Sequence, residues 1–375
     1  MTVLKRIDSP FGHRFELHHN SERVSSLILF DYTLTFNSSE LKMGGIAGVQ
    51  THREHRNKGY ASELMEATIA WMKEEEYPCS FLYGIPNFYW RYGYATLLTH
   101  ASTKVLVRDL ESSKIQTDFA IRPYKESDLD AVRDLFNENN SGRMCSIVRG
   151  PSWRGIPRGS DWPIEPICLV AESASGEFSG YVVYDAKRPE VVVSEVETSH
   201  PAAQYAILDA LAQVAIEQRE KEIEYVGPTS HPFAIFLRRF GAKHMDLVER
   251  HGFGMGRLIH LEAFFSQIVT ELSRRSWMLT GQARYHLHFQ TDIGECGLDV
   301  IKGSVQVTNG QPISPETTRI QVICSQLELT RLVFGVVDHG TFSVSPETTV
   351  SGPGAEVLPI LFPTQLSTIP PTSWF

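Results

Sequence analysis

The sequence predicts an α/β chain in which one mixed unit of strands and helices occurs twice and an α+β domain follows. Two observations carry this prediction. Strand patterns alternate with helical patterns over roughly the first 250 residues, and Phe88 to Gly93 is echoed by Phe236 to Gly241. The predicted domains are residues 1–118, 119–256 and 257–375. A length of 375 residues suits two or three domains of ordinary size.

The first unit opens with two predicted antiparallel strands. Val24 to Phe36 is rich in β-branched and aromatic residues, Asn37 to Ser39 forms a turn, and Met43 to Gln50 continues as the next strand. A helix is predicted over Ala61 to Met72, where apolar residues recur at helical spacing. Ser80 to Tyr83 then forms a short apolar strand.

The second and third units follow the same reasoning. Ala120 to Arg122 precedes Ser127-x-x-Asp130, which resembles the capped start of a helix. Strands are predicted at Ile167 to Ala171, Tyr181 to Tyr184, Val191 to Val196 and near Tyr225, with a helix over Ala202 to Arg219. The third unit begins with an amphipathic helix, Leu261 to Leu272, followed by strands at Ala283 to Phe289 and Leu298 to Val307.

The composition is that of a folded globular protein. Hydrophobic residues make up 42% of the chain and charged residues 21%, so the depletion of apolar residues seen in disordered chains is missing. No stretch reaches the roughly 18 apolar residues that a membrane span requires, and the N-terminus lacks the order of a signal peptide. We therefore expect a cytoplasmic protein with no membrane partner.

Charge and cysteine content argue against two further classes of protein. A net charge of −9 would repel a phosphate backbone, so nucleic acid is not an expected partner and a cationic molecule fits better. The five cysteines are scattered without a C-x-x-C pair, which indicates neither a disulfide framework nor a zinc site. His18-His19 and His286-x-His288 have no third ligand at a recognisable spacing, so no metal is expected.

A glycine loop separates the second strand from the helix of the first unit. The strand ends in Val49-Gln50-Thr51, and Arg56-x-x-Gly59-x-Ala61 follows. Free backbone N–H groups at a helix N-terminus, with about half a positive charge from the helix dipole, bind anions such as a pyrophosphate. Gly59 allows close approach of the backbone. The alternative is a plain strand-to-helix turn with surface Arg and Lys side chains.

This order of parts, with the aromatic segment Asn87 to Tyr94 after the next strand, resembles the GNAT superfamily of N-acetyltransferases. The resemblance implies acetyl-CoA as cosubstrate, with its pyrophosphate on the loop and its pantetheine arm along the preceding strand. It also implies that Tyr89 is the general acid for the departing thiolate. Tyr94 is the alternative acid, and a packing role is the alternative for Tyr89. The implied cofactor-binding residues are Val49, Thr51, Arg56, Asn57, Lys58, Gly59, Tyr60 and Ala61.

The chain as a whole resembles the Eis-type acetyltransferases, in which two GNAT units precede a sterol-carrier-protein-like α+β domain. Gly44 to Val49, Arg56 to Ala61, Phe88 to Tyr94 and the aromatic C-terminus carry this resemblance. It implies a catalytic first domain, a hexamer, and a docked tail whose Phe375 α-carboxylate is the general base. The alternative is that the last two residues only pack the tail onto the core.

The second unit is predicted to be a degenerate copy without a coenzyme A site. When Thr51 is aligned with Thr198, Ala203 and Ala206 stand where the first unit has Arg56 and Gly59. Leu237 likewise stands opposite Tyr89. Neither the glycine loop nor the phenol is therefore present in the second unit.

These features together predict an N-acetyltransferase that moves acetyl directly from acetyl-CoA to the amine of a small cationic acceptor. Aminoglycoside-like, polyamine-like and lysine acceptors remain open. Only about 22 residues precede the first clear strand, too few for the initial strand and paired helices that usually wall the acceptor site, although His13 to His19 is a further strand candidate. The alternative function is a non-catalytic module that binds coenzyme A or an apolar ligand.

Overall fold

A computed structural model describes residues 2–112, 117–156, 165–281 and 283–374. These residues form three β-sheets of eight, seven and five strands with helices packed against them. This is the mixed α/β architecture that the sequence predicts. Across the described ranges, no helix is both long enough and apolar enough to cross a membrane.

The first sheet contains the predicted strands of the first unit, and its helix packs on one face through Leu64, Met65 and Met72. Neighbouring strands from β1 to β4 are antiparallel, whereas β4 and β5 are parallel. The elements are β1 (Thr2–Ser9), β2 (Gly12–His19), β3 (Glu22–Phe36), β4 (Ser39–Thr51), α1 (Tyr60–Glu74), β5 (Cys79–Gly84) and β6 (Ala95–Thr96).

The second sheet repeats this plan, with a parallel pair of strands at its centre and a long helix between them. The elements of this part of the chain are β7 (His100–Leu106), α2 (Val107–Ser112), β8 (Ala120–Pro123), α3 (Leu129–Asn140), β9 (Met144–Ile147), β10 (Pro166–Glu172), β11 (Phe178–Asp185), β12 (Val191–Thr198), α4 (Ala203–Glu217), β13 (Glu222–Val226), α5 (Pro232–Leu237) and β14 (Ala242–Leu247). All of these strands except β9 belong to the second sheet. The strand order is β14-β7-β13-β12-β11-β10-β8.

The remaining residues form a five-stranded sheet, ordered β18-β17-β16-β19-β20, covered by a long helix. The likeness of this region to sterol-carrier proteins stays a prediction. Its elements, together with the strand that precedes it, are β15 (Phe253–Leu258), α6 (Leu261–Ser276), β16 (Tyr285–Thr291), β17 (Gly294–Ile301), β18 (Ser304–Thr308), β19 (Thr318–Cys324), α7 (Gln326–Val333), α8 (His339–Ser343), β20 (Thr348–Ser351) and α9 (Val357–Leu361).

Strands cross the predicted domain boundaries at residues 118 and 256. Strand β7, from the first predicted domain, pairs with β13 and β14 in the second sheet. Strand β15, which straddles the second boundary, pairs with β5 and β6 in the first sheet. Strand β9 also pairs with the edge of β3. The first two sheets are therefore interleaved, and neither is complete without chain from the other unit.

The N-terminal residues form a hairpin. Strand β2 occupies the candidate strand at His13 to His19, and β1 pairs with it across a turn of only two residues, Pro10 and Phe11. The initial strand is thus present, but no helix lies between Thr2 and Phe36. The sequence predicts that no paired helices lie here, and the two strands are joined by this turn.

Helix α6 joins the third sheet to the first. Phe264 packs edge-on against Phe36 of β3, with ring centroids 5.8 Å apart, and both side chains are fully buried. The buried Glu271 carboxylate accepts hydrogen bonds from Ser38 Oγ at 2.6 Å and Arg275 Nε at 2.6 Å. Arg275 in turn donates to Asn37 Oδ1 at 2.6 Å. A buried ion pair therefore connects α6 to the β3–β4 turn.

The ionisation of Glu271 is set by this network. Burial by itself would raise its pKa, but hydrogen bonds from Arg274, Ser38 and Arg275 outweigh burial and lower the pKa to about 2. An unfolded glutamate titrates near 4.3, so the folded state gains stability from Glu271 above that pH. The gain is lost as the pH falls toward 2.

Replacing Glu271 with alanine should destabilise the fold by about 3–5 kcal/mol, because Arg275 would remain buried without its partner. Denaturant unfolding at neutral pH measures the loss. Glu262→Ala is the matched control, since Glu262 is exposed on the same helix and should change stability by less than about 0.5 kcal/mol. Equal midpoints for the two variants would contradict a role for the ion pair in joining the sheets.

Candidate active site

The candidate site begins where two parallel strands separate. Strands β4 and β5 pair from Met43–Cys79 to Ile46–Leu82 and no further. At the same level the register between β3 and β4 shifts, and Gly48 has a positive φ of 58°. This β-bulge bends β4 away from β5. Beyond Ile46, the edge of β4 that faced β5 is therefore free to pair with a ligand that carries amide groups.

The glycine loop continues directly from this bulge. Asn57 and Gly59 both have positive φ, at 60° and 84°, and α1 begins at Tyr60 without a side-chain cap. The first backbone N–H groups of the helix consequently have no partner within it. A Cβ at Gly59 would meet no atom within 4 Å, so the loop backbone is open to an incoming group.

The structure brings all eight predicted cofactor-binding residues into one continuous stretch of the strand end, the loop and the helix start. Val49, Thr51, Tyr60 and Ala61 are half-buried, whereas the four loop residues between Arg56 and Gly59 are exposed. Arg56 donates from Nε to the Thr51 carbonyl at 3.3 Å, which folds its side chain back along the loop. The stretch is rich in exposed cations, with Arg56 and Lys58 only two residues apart.

Tyr89 follows β5 in a short 3₁₀ turn and is largely buried. Its ring packs edge-on against Phe88, with centroids 4.9 Å apart, and only a glycine fits at position 84 because a Cβ there would lie 2.7 Å from the Tyr89 ring. Within the described ranges, its hydroxyl forms no hydrogen bond. Burial, followed by the neighbouring Tyr92, raises the pKa of Tyr89 to about 12. The phenol is therefore protonated at neutral pH and available as a donor.

Tyr94, the alternative acid, has a different environment. It is fully buried, and its hydroxyl lies 2.8 Å from Ser80 Oγ. Ser80 donates its own proton to the Gly44 carbonyl at 2.8 Å, so the Tyr94 hydroxyl donates to Ser80. Burial also raises its pKa. Its proton is thus engaged in a contact that links the residue before β6 to β5.

A cavity of about 470 Å³ lies at the outer edge of β3. Pairing of β2 with β3 ends at Phe30, and pairing with β9 starts only at Leu34, so the cavity fills the gap between them. Trp374 lines it, and the Trp374 ring lies 5.2 Å from that of Tyr83, the first β5 residue beyond the β4–β5 pairing. Sequence reasoning missed the cavity because three remote segments build it: the 10–11 turn, residues 147–155 and the tail.

A buried ion pair of the second unit holds the C-terminal tail. Arg149 donates to Glu195 in a bidentate pair at 2.9 and 2.6 Å, and both side chains are almost completely buried. The Thr372 hydroxyl donates to the same carboxylate, and Arg149 donates to Ser373 Oγ at 3.2 Å. Phe375, the predicted general base, lies outside the described residues. Its neighbour Trp374 is at the cavity.

The second unit has no counterpart of the glycine loop at the equivalent position. Ala203 and Ala206, which align with Arg56 and Gly59, are buried on α4. Leu237, which aligns with Tyr89, is fully buried. The parallel strands β12 and β13 also separate, beyond Val193–Tyr225. The narrow cleft they leave is lined by acidic and histidine side chains, and by Thr368 and Pro370 of the tail.

Other reactive groups lie away from this site or are inactive in their surroundings. Cys79 is fully buried on β5, and burial raises the pKa of its thiol well above the usual value, so little reactive thiolate forms. Among the residues that the structure describes, no group of three or more His, Cys, Asp or Glu side chains is placed to hold a metal ion.

Comparisons with known proteins agree with this geometry. Residues 15–97 match the family model of the acetyltransferase (GNAT) domain. No curated protein matches the chain. Three solved structures share its fold at low identity: a conserved Enterococcus faecalis V583 protein described as a probable N-acyltransferase (14% identity, all of both chains, TM-score 0.78), a GCN5-related N-acetyltransferase from Anabaena variabilis (16%, 96% of this chain and 89% of that one, 0.74) and Eis1 from Mycobacterium abscessus (14%, all of both chains, 0.69).

Those identities establish the fold and not the acceptor. The family match covers β2 to β6 and α1, which include the strand separation, the glycine loop and Tyr89. Residues 15–97, which form the centre of the first sheet, therefore match a GNAT acetyltransferase domain, and the chain shares the fold of these three structures.

Proposed function

We propose that this protein is an acetyl-CoA-dependent N-acetyltransferase that transfers acetyl directly to the amine of a small acceptor. The observation that carries the proposal is the separation of β4 from β5 at the Gly48 bulge, continuous with the uncapped N-terminus of α1. We also retain the predictions that the protein is a cytoplasmic homo-oligomer, hexameric by resemblance.

The site fits coenzyme A in two respects. Past Ile46, β4 offers unpaired backbone to the amide groups of a pantetheine arm, as a neighbouring strand would receive them. The positive-φ residues Asn57 and Gly59 leave the helix N-terminus open to a pyrophosphate, with Arg56 and Lys58 beside it. Val49 and Thr51 would hold the arm and residues 56–61 the phosphates. When bound, acetyl-CoA supplies an acetyl group activated as a thioester.

Tyr89 is suited to assist the leaving sulfur as a hydrogen-bond donor. A free thiol titrates near 8.5 and this phenol at about 12, so complete transfer of its proton to a thiolate is uphill by roughly 5 kcal/mol. A hydrogen bond to the developing negative charge does not carry that cost and is strongest in a buried site. Tyr89 therefore stabilises the charge on sulfur and gives up its proton only as another proton reaches it.

The tail is the second part of the proposed chemistry. The attacking amine must be neutral, whereas a free alkylammonium titrates near 10.4, so a base is needed to remove its proton. Thr372 to Trp374 line the cavity, and Phe375 is the next residue. We propose that the α-carboxylate, which Phe375 carries when it ends the chain, accepts the amine proton directly or through water.

The described residues of the third domain do not favour the alternative function of an apolar-ligand carrier. The space between α6 and its sheet is filled, with Phe265 stacked on Phe289 at 5.0 Å and both side chains fully buried. A cavity of about 330 Å³ lies instead among polar side chains such as His286, Arg319 and Gln321. Such a lining does not suit an apolar ligand.

Gly59→Glu should weaken acetyl-CoA binding by about 100-fold, because it places a carboxylate at the anion site. Calorimetric titration of the pure protein measures the dissociation constant. Gly176→Glu is the matched control: Gly176 also has a positive φ, of 80°, is exposed and has open space around it. Both variants should lose similar stability, about 1–2 kcal/mol, but only the first should lose binding. Equal affinities would mean that the loop is only a turn.

Tyr89→Phe should lower the turnover number by about 100-fold with little change in acetyl-CoA affinity, because it removes a donor used only in the transition state. Release of free thiol in the presence of an amine measures turnover. Tyr94→Phe is the comparison variant; it should lose about 1 kcal/mol of stability and keep its turnover. The opposite pattern would transfer the role of acid to Tyr94.

The pH profile gives a separate check on Tyr89. An ordinary tyrosine is half ionised near pH 10, but the pKa of Tyr89 is raised to about 12, so its proton is retained through pH 10. Wild-type turnover should therefore not fall between about pH 8 and pH 10.5. A fall centred near pH 10 would show that the essential acid is a phenol with an ordinary pKa.

Extending the chain by three residues after Phe375 should reduce turnover by about 100-fold or more, because it moves the α-carboxylate away from the cavity. The melting temperature should be unchanged, since the buried contacts of Thr372 and Ser373 remain. The same three residues added before Met1 serve as the control. Full turnover in the C-terminally extended protein would restrict the tail to a packing role.

A further inference from the structure

The cavity at the edge of β3 has the size and position of an acceptor site. About 470 Å³ is within the usual range for small-molecule sites. The Asp31 N–H donates to the Phe11 carbonyl at 3.2 Å on one side, and the Val148 N–H donates to the Thr33 carbonyl at 2.8 Å on the other. The backbone around the gap is thereby fixed. Only the two-residue turn at Pro10 and Phe11 closes the side where a helix pair would otherwise stand.

Aromatic side chains dominate the walls of this cavity. Phe30 and Tyr32 lie along β3 with ring centroids 5.8 Å apart, and Trp153 and Trp374 come from the second unit and the tail. Phe11 at the mouth is 40% exposed. Half-exposed aromatic rings that line one cavity form a surface that an aromatic or apolar ligand would bury on binding.

The charges on the described lining residues do not favour a polycation. The lining contains one carboxylate, Asp31, and two guanidinium groups, Arg149 and Arg154. Asp31 accepts a hydrogen bond from the Tyr77 hydroxyl at 2.5 Å and has His13 Nε2 at 3.5 Å. Arg154 lies over the Phe11 ring at 4.7 Å, at the mouth. Because Glu195 neutralises Arg149, a molecule with several ammonium groups would meet one guanidinium, Arg154, and a single carboxylate that is already bonded.

We infer that the acceptor is a small amine carried on an aromatic or apolar body, and not an aminoglycoside or a polyamine. This inference rests on the proposed function and narrows its substrate class. The aromatic body would lie among Phe11, Trp153 and Trp374, and the Trp374 ring connects this wall to Tyr83 of β5. In the reaction the amine nitrogen forms a bond to the acetyl carbon and loses one proton, the carbon–sulfur bond breaks, and the sulfur gains one proton.

The test compares amines of different bodies by release of free thiol from acetyl-CoA. 2-Phenylethylamine, tryptamine and hexylamine are set against spermidine and kanamycin at the same pH. We expect kcat/KM to be at least about tenfold higher for the aromatic and apolar amines. Faster turnover of spermidine or kanamycin would overturn the inference and leave the proposed function intact.

A binding measurement separates the inference from the proposed function. If no amine releases thiol although acetyl-CoA binds, the proposed transferase activity is wrong. In that case, titration of the protein with 2-phenylethylamine still shows whether the cavity binds an aromatic amine. Binding that requires Trp153 supports an aromatic amine in the cavity, whereas binding of spermidine alone, or of none of these amines, overturns it.

Variants of the cavity wall make the test specific. Trp153→Ala and Phe11→Ala should each raise KM for 2-phenylethylamine by about tenfold, with unchanged affinity for acetyl-CoA. Phe11 is exposed in a turn, so its variant folds even if loss of Trp153, which packs 4.4 Å from the Arg149 guanidinium, disturbs the second unit. Trp277→Ala is the control, because Trp277 is exposed on the third domain. Equal KM values in all three variants would contradict the assignment.

Discussion

The separation of β4 from β5 is the constraint on which the rest of the candidate site depends. A parallel pair of strands normally satisfies its backbone along its whole length, because an unpaired buried N–H or C=O costs free energy. Here the bulge at Gly48 ends the pairing after Ile46. The glycine loop continues from the strand that carries this free edge, and Tyr89 follows the strand that separates from it. A ligand that hydrogen-bonds to the unpaired backbone of β4 removes this cost, and the removal contributes to its binding free energy.

The second unit differs from the first at the place where its parallel strands separate. Its strands also separate, but the space is lined by its own carboxylates and by tail residues, and no exposed glycine loop lies at its helix start. The buried Arg149–Glu195 pair, which is costly to form and costly to break, is bonded to Thr372 and Ser373. A second copy of the fold has thereby become the attachment site of the tail that reaches the first copy.

Local patterns predicted the elements that depend on local residues, and they failed where distant pairing decides the structure. The hairpin of β3 and β4, the glycine loop and α1 follow from β-branched runs, turn residues and helical spacing. The pairing of β15 with β5 in the first sheet gives no local sequence signal, because strand propensity does not specify which edge a strand joins. The same is true of the cavity, whose walls are brought together only by the complete fold. The base assigned to Phe375 rests on resemblance alone.

Residues far apart in the sequence complete the first sheet and the cavity at its edge. Pairing of β15 with β5 ties one of the separated strands to a segment far along the chain, and such distant pairing slows folding. The turn at Pro10 and Phe11 joins β1 directly to β2 and lines the cavity at the edge of β3. The cavity that we propose for the acceptor is walled in part by Trp153 and Trp374, from the second unit and the tail. Under that proposal, acceptor choice depends largely on residues outside the matched segment 15–97.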